Sequence, residues 1–170
     1  MCIRDRLLFC VANFSLSAQT ADQKINQLEI QLPALPDALG SYVDMVQVGK
    51  IIYLSGKGPL KADGTYITGK VGQDLNSDQG YQAARLTAIN QLAVLKKKLG
   101  SLDKIKRIVK VNGYVNAAPS FSEQSKVING FSDLMTTIFA ENGKHARTSV
   151  GVASLPQQMA VEVEMIVEIK

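Results

Sequence analysis

Histidine occurs once in this chain of 170 residues, as His145, cysteine twice, as Cys2 and Cys10, and tryptophan not at all. So few soft or imidazole ligands exclude a zinc site of the usual donors and a Cys-His nucleophile, and a Ser-His-Asp triad would have to use His145, which stands beside no nucleophile elbow. The missing tryptophan excludes nothing by itself. Charge of neither sign dominates: the formal net charge is +4, too mild an excess to point to a polyanionic partner. Long apolar runs are also lacking, the longest leading stretch, LLFCVANFSL, being about half of what a membrane span needs. What remains is 46% apolar and 20% charged with five prolines, the composition of a soluble globular protein, in a length that suits one domain.

The first residues are read separately. Arg4 and Arg6 precede the apolar run, and small residues follow around Ala18, the layout of a cleavable secretory leader over residues 1–18. The chain is therefore expected to be exported, to the periplasm, or to be cytoplasmic if the leader is an artefact. Phe9 before Cys10 is too bulky for lipoprotein processing. A mature chain starting near Gln19 has no cysteine, and so no disulfide, thiolate nucleophile or thiolate metal site.

Residues 19–40 read as a short helix over Thr20 to Leu32 and a linker containing Pro33 and Pro36. Residues 41–170 read as the domain. Tyr42 to Val48 and Ile51 to Ser55 are apolar runs around Gly49-Lys50, a tight hairpin. Gly56 to Gly72 is a glycine-rich loop, but SGKGPL lacks the Walker spacing and Pro59 opposes a helix start there. Asn76 to Leu99 repeats apolar residues at intervals of three and four, and its three terminal lysines suit a solvated helix end better than nucleic-acid binding. Ile105 to Asn116 reads as a strand, central in the sheet, with its alternation broken at Arg107 and Gly113. A second long helix is expected from a Ser120/Glu123 capping box to Asn142-Gly143. Arg147 to Ala153 and Ala160 to Ile169 are the closing strands.

This order describes an α+β domain, one mixed sheet with two helices on one face. The other face must be polar or find a partner, and three or more copies packed sheet to sheet would cover it.

Alternation puts His145, Arg147, Ser149 and Gly151 on one face of their strand, and Glu162, Glu164 and Glu168 on one face of the next. Glu162 and Glu164 are about 6.5 to 7 Å apart by strand rise. If the two polar faces coincide, a guanidinium and carboxylates converge on one cavity, where the guanidinium binds a carboxylate twice and a glutamate takes a proton from water. An ordinary cross-strand ion pair fits the same pattern equally well. A glycosidase pair is disfavoured because both glutamates point the same way from one strand. Tyr42, Tyr53 and Tyr114 are too scattered for a base-stacking platform.

GSYVDMVQVGKIIYLSG near the start and HARTSVGVASLPQQMAVEVEMI near the end resemble the Rid/YjgF family of reactive-intermediate deaminases, in a branch carrying H-A-R-x-x-V-G-V-x-x-L-P. The resemblance runs over residues 25 to 170. It implies a chorismate-mutase-like fold and a homotrimer with sheets inside, helices outside and a cleft at each subunit interface. It further implies cofactor-free hydrolysis of small carboxylated enamines and imines to 2-keto acids and ammonia; no nucleic-acid partner, and no membrane association after leader cleavage, are expected from the charge and the short apolar run already described. Carried onto this chain, Arg147 is the carboxylate-binding arginine, Glu162 the water-positioning glutamate, and Tyr42 and Ser55 line the cleft. The better-studied branch has proline at His145, cysteine at Ser149 and glutamine at Lys57, and a different loop over Pro59 to Gly72. The alternative on the same trimer is a binding protein that holds a carboxylate without turnover. The family's older ribonuclease label lacks the paired histidines that RNA cleavage would use.

Overall fold

The computed structural model describes residues 19–34 and 40–170. The segment read as a leader, and part of the linker, lie outside the described residues.

Eight main elements follow one another: α1 (Ala21–Gln27), β1 (Met45–Val48), β2 (Ile51–Lys57), α2 (Ser77–Leu99), β3 (Ile105–Asn116), α3 (Gln124–Phe139), β4 (Ala146–Val152) and β5 (Val161–Ile169). The strands form one mixed sheet in the order β1-β2-β5-β3-β4, antiparallel except for the parallel pair of β3 and β4. β5 holds the middle. β3 is internal but flanks it, which corrects the central position expected for β3.

Sequence dictates the helix ends only in part. Asn76 and Gln79 form a reciprocal capping box at the start of α2, Thr20 and Gln23 do the same for α1, and Gly100 ends α2 in the left-handed conformation that glycine adopts without a Cβ penalty. The expected Ser120/Glu123 box does not form. α3 begins at Gln124 with no side-chain cap, because the Glu123 carboxylate accepts instead from the Ser77 hydroxyl at the start of α2. α3 also stops earlier than expected, at Phe139, and a 3-10 turn over Ala140–Gly143 completes the run to Asn142-Gly143.

Both long helices lie on one face of the sheet. Val161, Val163, Met165 and Val167 of β5, Ile52 and Leu54 of β2 and Val111 and Val115 of β3 turn toward them, all buried, and meet Leu92, Leu95, Phe131 and Met135. Two glycines let these layers approach closely: a Cβ on Gly130 of α3 would lie 2.0 Å from the Tyr81 carbonyl oxygen of α2, and one on Gly113 of β3 would lie 2.6 Å from Ile128. Gly113 therefore marks a close helix contact. The β3 irregularities fall elsewhere, between Ile105 and Arg107 and between Ile108 and Lys110. α1 packs at one end, where Asp22 accepts from Lys96 Nζ at 2.7 Å and from Ser101 Oγ at 2.8 Å.

Among the described residues, no helix lies on the other sheet face. Val46, Val48, Tyr53 and Val150 remain 40 to 63% exposed there.

Candidate functional site

β4 is an edge strand, joined to the sheet only through β3, with Arg147 opposite Val111 and Ser149 opposite Gly113. In a parallel pair, opposed residues share a face, so Arg147 and Ser149 lie on the helix side with buried Val111. The expected grouping of His145, Arg147, Ser149 and Gly151 on one face is present. Arg147 reaches α3, where Nη1 donates to Asn129 Oδ1 at 2.8 Å and to Ser132 Oγ at 3.0 Å, and Nη2 donates to the Ser125 carbonyl oxygen at 3.4 Å. Ser125, Asn129 and Ser132 stand at helical spacings of four and three, one polar stripe beside the apolar one. No carboxylate pairs with Arg147 among the described residues. His145 lies against the same stripe, with Nε2 3.0 Å from Ser132 Oγ and Nδ1 2.6 Å from the Gly143 carbonyl oxygen. Burial, assisted by the neighbouring Arg147 charge, holds His145 below the ordinary imidazole range.

Glu162, Glu164 and Glu168 alternate with the buried residues of β5 and so lie on the open face. Arg147 and Glu162 are thus on opposite sides of the sheet, and β3 separates their strands. This rules out, within one chain, both arrangements the pattern allowed: β4 and β5 are not neighbours, so Arg147 forms neither a cross-strand ion pair with these glutamates nor a common cavity with them.

The three glutamates differ in their partners. Glu168 pairs with Lys106 Nζ at 2.8 Å. Glu164 accepts from Asn112 Nδ2 at 2.8 Å and from Tyr114 Oη at 3.3 Å. Glu162 takes no hydrogen bond or ion pair among the described residues, and burial, then the Glu164 charge, pushes its carboxyl above the ordinary range. Its side chain rests on Gly56, where a Cβ would lie 2.1 Å from Glu162 Oε1.

Gly56 belongs to a β-bulge, since β2 slips register against β5 between Leu54 and Lys57. Gln91 of α2 holds the bulge from the buried side, donating to the carbonyls of Ser55 at 2.9 Å and Val163 at 2.8 Å. Ser55 itself donates through Oγ to the Val43 carbonyl at 2.6 Å, and Lys57 pairs with buried Asp44 at 2.7 Å. The hydroxyl expected to line a cleft therefore also fastens the chain entering β1. Tyr42, just before that point, is 51% exposed. Ser55 is brought beside Glu162 through Gly56, whereas Arg147 is not.

A cavity of about 620 Å³ opens past the end of β4, lined by Lys70, Phe121, Gln124 and Gly151 among others. None of the four residues expected at the site lines it. Lys70 Nζ donates there to Asn116 Oδ1 at 3.1 Å and to the Ala153 carbonyl.

The family model described as "YjgF/chorismate_mutase-like, putative endoribonuclease" matches residues 22–169. The chain belongs to the Rid/YjgF family. Among its relatives, Protein TCP17 of Trypanosoma cruzi is 43% identical over 146 residues, covering 85% of this chain and 91% of that one. A 2-iminobutanoate/2-iminopropanoate deaminase of Dermatophagoides farinae is 32% identical over 142 residues, covering 83% and 95%. A crystal structure from Shewanella oneidensis MR-1, described as a putative endoribonuclease, superposes with a TM-score of 0.85 at 32% identity, covering 89% of this chain and all of that one. The chorismate-mutase-like fold of the Rid/YjgF family is the fold seen here, an α+β domain built on one mixed five-stranded sheet.

Asn129 and Ser132 were not singled out in the sequence, and Gly56 was read as the start of the glycine-rich loop, whereas β2 runs through it to Lys57. The first two form a visible polar stripe on α3, and Gly56 stands in the Ser-Gly pair that follows the apolar run of β2.

Proposed function

We propose that this Rid/YjgF protein hydrolyses small carboxylated enamines and imines to 2-oxo acids and ammonia, in clefts formed between protomers of a homotrimer. The reading is carried by Glu162, among the described residues the one glutamate of its row without a partner, half-buried and with its carboxyl raised above the ordinary range, so that it is the member able to hold a water and take its proton. The uncovered apolar face supports association, since side chains such as Val46, Val48 and Tyr53 gain from being buried against another copy. A cleft between copies also accounts for Arg147 and Glu162 facing opposite ways: the arginine of one protomer meets the glutamate of the next.

Arg147 binds the substrate carboxylate through donors that its neutral partners leave free. The enamine takes a proton at its terminal carbon and becomes the protonated imine. Water held by Glu162 adds its oxygen to the imine carbon while one of its protons passes to the carboxylate; the resulting carbinolamine takes that proton back on nitrogen, the C–N bond breaks to release ammonia, and the hydroxyl returns its proton to Glu162 as the carbonyl forms. No cofactor is needed, because the substrate is already reactive and positioning supplies the advantage.

Semicarbazide trapping of 2-aminoacrylate or a related imine generated in situ tests this. Added protein accelerates the loss of trappable imine, and Arg147→Ala does not. An imine decay unchanged by the wild-type protein, for every imine tried, overturns the hydrolase reading.

A further inference from the structure

The hydrogen bonds around Arg147 leave no freedom in their direction. A guanidinium only donates, so Ser132 Oγ, 3.0 Å from Arg147 Nη1, is there an acceptor. A carbonyl only accepts, so His145 Nδ1, 2.6 Å from the Gly143 oxygen, carries the ring hydrogen. In the neutral ring Nε2 then has a lone pair, and the Ser132 hydroxyl hydrogen points to it across 3.0 Å. With Asn129 accepting the second Nη1 hydrogen and Ser125 one hydrogen of Nη2, two of the five guanidinium donors remain without a partner among the described residues, the Nε hydrogen and one on Nη2. Two donors are what a bidentate carboxylate takes.

We propose that Ser132 is a positioning residue for Arg147, oriented by His145 as its Nδ1-protonated tautomer, so that the relay from the Gly143 carbonyl to the guanidinium decides which edge of Arg147 is offered to a substrate carboxylate. The proposal rests on the reading of Arg147 as the carboxylate clamp. It assigns His145 a task in this chain that its isolation in the sequence does not suggest: it accepts and orients, and performs no acid-base step on the substrate. His145 suits the task because burial favours its neutral form. Ser132 suits it because the hydroxyl is the one side-chain group here that accepts from a cation and donates to a ring nitrogen at once.

His145 is the chain's only histidine, so nitrogen NMR of histidine-labelled full-length protein reports on it alone. The spectrum is expected to show a protonated Nδ1 and a bare Nε2 at neutral pH; a protonated Nε2 with a bare Nδ1 overturns the relay without the need for any variant. Binding of pyruvate, the simplest 2-oxo acid, gives the second readout. Ser132→Ala is expected to weaken it about tenfold, the loss of one charge-assisted hydrogen bond, and Ser132→Thr, which keeps the hydroxyl, to restore it to within about threefold. Pyruvate binding lost in Arg147→Ala but unchanged in Ser132→Ala overturns the relay and leaves the clamp standing. Pyruvate binding unchanged in Arg147→Ala removes the clamp, and the proposal with it.

Discussion

Arg147 reaches into α3 from one side of the sheet while Glu162 stands on the other, with β3 between their strands. The separation is fixed by strand parity and sheet order, which no rotamer change alters. Any chemistry that uses both groups must therefore use two chains.

Glu162 lies against a glycine, and that contact makes its position separable from the stability of the fold. Gly56→Ser would place a Cβ 2.1 Å from Glu162 Oε1. The clash falls on the far end of a flexible side chain, so the carboxylate swings aside at a cost of about 1 kcal/mol or less. The expected outcome is imine hydrolysis reduced at least about tenfold with a melting temperature within a few degrees of wild type. Activity retained in a well-folded Gly56→Ser protein would show that the carboxylate's place does not matter.

Gly130 makes the opposite prediction. Its Cβ would meet the Tyr81 carbonyl at 2.0 Å, and two helix backbones must part before it fits. Gly130→Ala is expected to destabilise the protein by about 3 kcal/mol, read as a lower midpoint in urea unfolding. A midpoint like that of wild type would mean that α2 and α3 do not pack this closely.

The raised carboxyl of Glu162 has a sign that can be followed through pH. A folded-state value above the unfolded one means that the native chain keeps this proton longer. The associated stability is present below the ordinary value of 4.5 and is lost as pH rises through the folded value. Glu162→Gln removes that loss, so the melting temperature of the variant should gain on wild type as pH rises above 4.5 and the gain should vanish below it. Wild-type hydrolysis should climb over the same interval, as Glu162 becomes a base. A difference between the two melting temperatures that does not vary with pH contradicts the shift.

The sheet, the two long helices and the facing of β5 were legible because each has a strong period: Val161, Val163, Met165 and Val167 alternate without a break, and α2 repeats its apolar residues over six turns. The start of α3 was not legible, because Glu123 is drawn to Ser77, a partner 46 residues away. At the site, parity correctly grouped His145, Arg147 and Ser149, and separately Glu162 with Glu164. What parity cannot supply is strand order. Taking the last two strands as neighbours placed Arg147 and Glu162 together, whereas β3 pairs with both and keeps them apart. The bulge at Ser55-Gly56, which gives Glu162 its seat, is held by Gln91 from a helix 36 residues away, and its one local mark, the Ser-Gly pair, reads equally well as the start of a loop.

Mixing two inactive variants tests the shared cleft most directly. Arg147→Ala and Glu162→Gln protomers, each inactive alone, are co-expressed and the imine hydrolysis of the mixed protein is measured. If each cleft takes its arginine from one copy and its glutamate from the next, random assembly leaves about one cleft in four intact, and activity returns to about a quarter of the wild-type level. A mixture as inactive as its two components, from protomers shown to have assembled together, would contradict the account.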